Sequence, residues 1–351
     1  MSLHRRDFIE GAAVAGLAEF LGPRLFAELT RMTDDASAPI PRRPLGKTGE
    51  TLSVLGFGGI VAMGGTQQEA NNRVAEAIAR GVNYFDVSPS YGKGEAEEKL
   101  GPALKPYRNK VFLACKTGKR DKESAAEELR DSLKRLQTGH FDLYQMHSVL
   151  DVDEDVERAL GPGGAIEAFL EAKRQGLVRF IGFSSHSIEA ALKMIASGHF
   201  DTILHPVNFV CHYHGRFDEA PLEAAKEKAM GRLALKSMAR TKWPEDSTRE
   251  TRPNPKCWYQ PITDPAEAAL AIRWTLSQGV TAAIPPGDEN LFRVALNVAS
   301  KDKPLSPEEE SALMKLASTL EPIFPQSPNP KKKRDTGVRL GYRGQTWKDA
   351  L

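Results

Sequence analysis

Three ionisable residues of complementary kind, Asp86, Lys116 and His147, each stand at the C-terminal end of a short run of β-branched, aromatic or aliphatic residues, 82–86, 111–116 and 141–147. Such runs read as strands, and a parallel strand covered on both faces has no packing use for a charged side chain at its end. A carboxylate paired to an ammonium keeps that charge oriented in a partly desolvated pocket, while an imidazole exchanges protons near neutral pH. Brought together, the three would serve acid–base chemistry. Taken singly, the aspartate reads blandly as a helix cap and the lysine as a solvated side chain. Their recurrence at three consecutive run ends argues for convergence.

What must position them is a repeating βα unit. Eight strand candidates lie at 54–57, 82–86, 111–116, 141–147, 178–182, 203–207, 232–235 and 281–284. Amphipathic helical patterns separate them at 69–80, 95–104, 124–136, 165–175, 188–197, 222–229, 265–277 and 291–298, several closed by Gly81, Gly176, Gly198 or Gly279 as left-handed caps. Eight such units in about 260 residues predict a closed (β/α)8 TIM barrel, whose active site is built on the C-terminal rim of the strands. The segment 42–54, with Thr48-Gly49-Glu50 at its turn, predicts an N-terminal β-hairpin plugging the barrel bottom. The domain reading is a signal and linker over 1–40, the barrel over 41–325 and an irregular Pro-, Lys- and Gly-rich tail over 326–351.

Bulk composition narrows the function classes. The 351 residues carry 48 basic and 46 acidic side chains, so no global field recruits nucleic acid or an anionic membrane. Cys115, Cys211 and Cys257 are widely spaced, with no C-x-x-C pair for zinc, an iron–sulfur cluster or a redox couple. No segment has the length of apolar sequence a stable membrane span needs. Arg5-Arg6-Asp7-Phe8-Ile9, followed by an Ala/Gly-rich stretch over 11–22, resembles a twin-arginine export signal and implies a periplasmic or otherwise exported protein, with the export machinery as a partner. An amphipathic N-terminal helix in a cytoplasmic protein is the alternative.

The segment Val82-Asn83-Tyr84-Phe85-Asp86-Val87-Ser88-Pro89-Ser90-Tyr91-Gly92 is similar to the signature of the aldo-keto reductase family, in which an aspartate ends the second strand and a tyrosine followed by glycine comes five residues later. The ends Ala114-Cys115-Lys116-Thr117 and Tyr144-Gln145-Met146-His147 resemble the family's lysine and histidine positions. The resemblance spans roughly 43–320 and implies an NAD(P)(H)-dependent oxidoreductase interconverting a carbonyl and an alcohol, with Asp86, Tyr91, Lys116 and His147 as its catalytic set. Physical chemistry explains the combination. A phenol with a pKa near 10 is a poor acid, and a neighbouring ammonium lowers that pKa. Asp86 would hold Lys116, and a neutral His147 would hydrogen-bond the substrate carbonyl.

The same resemblance implies cofactor positions. Gly58 and Gly59 would admit the nicotinamide ribose, Ser184 and Ser185 would meet its carboxamide, Asn208 would support them, and Lys236 would reach the pyrophosphate. Pro286, Gly287, Arg293 and Asn297 would line the adenosine end. Leu204 stands where the family has a carboxamide-binding glutamine, and Gly287 where it has a phosphate-binding lysine. Asp288 beside Gly287 disfavours a 2′-phosphate and suits a 2′-hydroxyl, so NAD competes with NADP. No metal and no iron–sulfur cluster are expected.

Two rival readings stand beside this one. Cys211-His212-Tyr213-His214, with His147, His186 and His205, offers ligands for a metal-dependent barrel hydrolase, although His212 and His214 fall past the sixth strand in an expected loop rather than on a strand end. Barrels related to this family also serve as redox-sensing subunits that bind cofactor and turn over little.

Overall fold

In the computed structural model, which describes residues 5–31, 39–301 and 303–326, the apolar runs form one parallel sheet rolled on itself. The hairpin strands β1 (Arg42–Pro44) and β2 (Thr51–Ser53) precede it. The barrel strands are β3 (Phe57–Gly58), β4 (Tyr84–Asp86), β5 (Phe112–Thr117), β6 (Phe141–Val149), β7 (Val178–Ser185), β8 (Thr202–Pro206) and β9 (Gly231–Leu235). A small antiparallel ribbon, β10 (Ala239–Thr241) with β11 (Gln260–Pro261), comes before the last barrel strand, β12 (Ala282–Ile284). Sheet order is chain order from β3 to β9 and then β12, every pair parallel. A parallel bridge between Leu55 and Ala283 closes the circle, with the Ala283 N–H donating to Val54 O and the Gly56 N–H to Ala283 O, both at 2.9 Å. The expected (β/α)8 barrel is the fold.

The first barrel strand is shorter than the predicted 54–57. Ser53 turns its ladder groups to side chains, its N–H donating to Asn83 Oδ1 at 2.6 Å and its hydroxyl to Leu55 O at 2.7 Å. The backbone at Gly56 then passes so close to the Tyr84 ring that a Cβ there would sit 2.5 Å from it. Close approach of this kind admits only glycine.

Alternation sorts the side chains. Tyr84, Phe112, Ala114, Leu143, Leu204, Leu233 and Ala282 point into the barrel and pack with Leu45 and Leu52 from the hairpin, which seals the floor as expected. Neighbours of opposite parity, such as Phe85, Leu113 and Tyr144, join the larger core under the surrounding helices. Continuing the inward parity along each strand brings Asp86, Lys116 and His147 to the inside of the upper rim.

Besides several segments of one or two turns, two α-helices of seven residues or more were not anticipated in the barrel region, Phe209–Gly215 and Pro307–Ser318. The first replaces the loop expected after β8, because the Asn208 side chain caps it through the Cys211 N–H. The second starts at a capping box formed by Ser306 and Glu309. The helix Arg5–Arg31, bent at Gly22 ahead of Pro23, packs against Pro265–Ser277 and Pro307–Ser318 and buries Leu17 and Leu29 in the larger core. Among the described residues no helix is long and apolar enough to cross a membrane. The tail over 327–351, including the basic run 331–334, lies outside the described residues.

Candidate active site

Above the barrel floor the strand ends and their loops enclose a cavity of about 810 Å³, and Asp86, Tyr91, Lys116 and His147 all line it. Lys116, 1 % exposed, forms a close ion pair with Asp86, 2 % exposed, and its Nζ donates to Tyr91 Oη at 3.1 Å. The second Asp86 oxygen accepts from Gln145 Nε2 at 2.9 Å and from the Tyr84 hydroxyl at 3.3 Å. Those donors fix the buried carboxylate, which in turn holds the ammonium in place.

Tyr91 is delivered by the loop after β4. Its N–H donates to Ser88 O at 3.1 Å, and left-handed Gly92 and Lys93 turn the chain so that the phenol faces back over the rim. Its ring meets the His147 ring edge-on, 5.7 Å between centroids. His147 Nδ1 lies 3.1 Å from Ser88 Oγ, which orients the imidazole with its other nitrogen free to face the cavity.

The electrostatics differ from expectation at one point. Burial pushes the Tyr91 phenol above its ordinary pKa, and Lys116 recovers only part of that rise, so the net effect of the pocket is upward rather than downward. A neutral phenol is thereby secured across neutral pH. Burial disfavours the Lys116 ammonium, yet Asp86 and Tyr91 outweigh it and hold the ammonium above its ordinary pKa. Burial, reinforced by Lys116, keeps His147 well below the usual imidazole range, hence neutral.

The residues assigned to the cofactor divide. Gly58, Ser184, Lys236, Pro286 and Gly287 line the cavity. Ser184 Oγ accepts from the Ser148 N–H at 2.8 Å, which leaves its own proton to point inward. Lys236 sits at φ 69°, outside the strand alternation, and places its ammonium 4.9 Å from the ring centroids of both Trp258 and Tyr259. Burial lowers its pKa to about 8. Leu204 is part of the apolar floor.

The others are not on the cavity wall. A Cβ on Gly59 would lie 2.6 Å from Val87, so this glycine serves packing. The Ser185 hydroxyl donates to Val149 O at 2.7 Å, inside the wall. Asn208 Nδ2 holds the carbonyls of Lys236, at 3.0 Å, and Ala239, at 2.7 Å, acting from behind. Arg293 pairs with Glu76 at 3.1 Å, and Asn297 accepts from Arg80 at 2.9 Å, on the flank where Glu289–Ala299 packs beside Gln67–Ala79.

Sequence reasoning missed several lining residues. Arg120 comes from the loop after β5 and Asp155 from the short π-helix Val152–Glu157, while Lys256, Trp258 and Tyr259 come from the long connection between β10 and β11. Lys256 Nζ reaches across the mouth to Met63 O at 2.9 Å and Glu289 at 3.0 Å. The aromatic pair Trp258-Tyr259 in a loop was the one available signal. The histidines of the metal reading are held apart: His212 bonds Asp218 at 2.9 Å, His214 bonds Ala317 O at 2.9 Å, and His205 bonds Phe217 O at 3.2 Å while stacking on its ring. Among the described residues no three potential ligands cluster around a metal position.

Comparison with known proteins agrees with the geometry. Residues 54–318 match the Aldo/keto reductase family profile. The uncharacterized oxidoreductase YqkF of Bacillus subtilis is 25 % identical over 307 residues, covering 78 % of this chain and 95 % of that protein. L-galactose dehydrogenase of Arabidopsis thaliana is 28 % identical over 321 residues, 81 % of this chain and 95 % of its own length. The holo form of AKR11C1 from Bacillus halodurans superposes with a TM-score of 0.62 at 24 % identity, covering 81 % of this chain and 98 % of that one, a likeness of fold. Strand order, rim tetrad and sequence profile thus converge, and the chain belongs to the Aldo/keto reductase family of NAD(P)-dependent oxidoreductases.

Proposed function

We propose that Tyr91 is the proton donor in reduction of a small-molecule carbonyl, with Lys116, Asp86 and His147 as its supporting set. The observation that carries this reading is the unbroken contact chain from Asp86 through Lys116 to the Tyr91 hydroxyl inside one cavity at the barrel rim. The Tyr91 hydroxyl donates to the carbonyl oxygen. The Lys116 ammonium stabilises the phenolate left behind, and Asp86 keeps that ammonium oriented. With the Ser88 hydroxyl donating to Nδ1, His147 carries its proton on Nε2 and offers it to the same oxygen.

The walls suit a nicotinamide dinucleotide. Gly58 and Gly287 present bare backbone, Ser184 offers a hydroxyl and Lys236 a cation with no acceptor among the described residues. The nicotinamide, when bound, supplies the hydride. At the adenosine end Asp288 already fills the start of helix Glu289–Ala299, accepting from the Asn290 and Leu291 N–H groups, and Arg293 is engaged by Glu76. A 2′-phosphate meets a carboxylate there, so NAD(H) is used alongside NADP(H). A solved relative from Klebsiella pneumoniae, 20 % identical, is described in complex with NADPH.

The deciding experiment follows NADPH and NADH oxidation over a panel of aldehydes and ketones, with Tyr91→Phe as control. Loss of about 10²- to 10⁴-fold in kcat is the expected result, and unchanged turnover overturns the assignment.

We further propose export by the twin-arginine route, on the strength of Arg5-Arg6-Asp7-Phe8-Ile9. The burial of Leu17 and Leu29 in the larger core favours the cytoplasmic alternative, in which this segment is a permanent part of the fold.

A further inference from the structure

Arg120 follows β5 and is held on two sides. Its Nε donates to Asp155 Oδ1 at 2.9 Å and its Nη2 to the carbonyl oxygen of His147 at 2.7 Å. Asp155 is itself fixed, its other oxygen accepting from the N–H groups of Leu150 and Asp151 at 2.8 and 3.0 Å. The side chain is 9 % exposed, it lines the catalytic cavity, and its Nη1 is buried with no acceptor among the described residues. A buried guanidinium N–H without a partner is costly, and the rigid planar fork cannot turn Nη1 elsewhere while the other two bonds hold.

We propose that Arg120 Nη1 is a substrate-anchoring donor, reading a second oxygen that the substrate carries a few bonds from its reacting carbonyl. The position follows from the chain. Arg120 grips the backbone of the same residue whose ring faces the carbonyl, so the two contacts belong to one small molecule. The acceptor is a hydroxyl or a carboxylate. Asp155 neutralises much of the guanidinium charge, which favours the hydroxyl. A simple alkyl aldehyde leaves Nη1 unsatisfied and is discriminated against for that reason.

This inference rests on the carbonyl-reductase reading and is tested by three aldehydes of equal chain length: butanal, 4-hydroxybutanal and 4-oxobutanoate. In the wild-type protein kcat/KM for an oxygenated aldehyde exceeds that for butanal by about ten- to a hundred-fold, mainly through KM. The ratio between 4-hydroxybutanal and 4-oxobutanoate tells hydroxyl from carboxylate. Arg120→Met and Arg120→Lys collapse the preference toward one, and because the preference is a ratio within one protein, any general disturbance of His147 cancels. A wild-type preference that survives both substitutions, or no preference at all, overturns the proposal. Should none of the three be turned over, they are not substrates, and the reductase reading is decided on the wider carbonyl panel. Binding followed by tryptophan fluorescence in the same variants then still reads Arg120, an Arg120-dependent preference for the oxygenated aldehydes sustaining the anchor and equal binding of all three overturning it.

Discussion

Ser88 Oγ lies 3.1 Å from His147 Nδ1 and 2.8 Å from Ser90 Oγ, so the imidazole that faces the cavity is held by the loop that also carries Tyr91. Donor and orienting group are thereby tied through three residues of one turn. Ser88→Ala removes the tie. A neutral hydrogen bond contributes about 1 kcal/mol, which corresponds to a five- to ten-fold fall in kcat/KM for carbonyl reduction at pH 7. Steady-state kinetics with unchanged kcat/KM would show that His147 needs no such support.

The pH profile of reduction follows from the two displaced groups. Burial keeps His147 below the ordinary imidazole value of 6.5, and it keeps Tyr91 above the ordinary phenol value of 10.0. Neither titrates between those limits. With the cofactor saturating, so that the Lys236 ammonium is paired, the expected kcat/KM profile for the carbonyl is flat from pH 6.5 to 9, and a break near 6.5 would mean that His147 is solvated in the working enzyme.

Stability has its own pH dependence. His205 is fully buried, and burial lowers its pKa from 6.5 to about 4. Below pH 6.5 the unfolded chain binds a proton there that the folded chain refuses, so stability falls with falling pH until about 4. Two and a half pH units correspond to about 3 kcal/mol. Urea midpoints measured at pH 7 and pH 5 should drop in the wild type and drop less in His205→Gln.

The pair Arg273 and Glu309 is buried, both guanidinium contacts measuring 2.8 Å. Removing one partner strands the other charge. Glu309→Ala should destabilise by about 3–5 kcal/mol in urea unfolding, far more than Lys226→Ala, whose partner Glu223 is exposed.

At the adenosine end, a Cβ on Gly287 would meet Ile60 Cγ2 at 2.3 Å and Ile60 Cβ at 2.5 Å. Gly287→Lys alone should therefore cost about 1–3 kcal/mol by overpacking. Combined with Ile60→Gly, which removes both of those atoms, the same lysine has room and should tighten NADPH about tenfold over NADH. Equal gains for both cofactors in the double variant would place the lysine away from the 2′-phosphate.

Localisation is open to a direct measurement. Export by the twin-arginine route predicts that the full-length chain fractionates with periplasmic protein and that Arg5→Lys with Arg6→Lys retains it in the cytoplasm. Identical fractionation of both forms would leave the N-terminal helix as a structural element.

The barrel was legible because its βα repeat is written in local periodicity, and the inward position of Asp86, Lys116 and His147 because strand alternation is strict. The placements that sequence could not supply are those made between distant segments. Arg293 turns to Glu76 and Asn297 to Arg80 only because two helices pack side by side. Lys236 left the strand alternation through a left-handed backbone, and Arg120 reached the cavity from a loop, neither of which leaves a trace in spacing. The direction of the Tyr91 shift depended on how deeply the phenol is buried, a quantity no motif encodes.

Leu45 and Leu52, the hairpin leucines packed among the inward side chains of the strands, make the barrel a vessel open at one end. Two molecules must meet inside it and both must use the same doorway. With the floor packed solid, the site is filled and emptied from above alone.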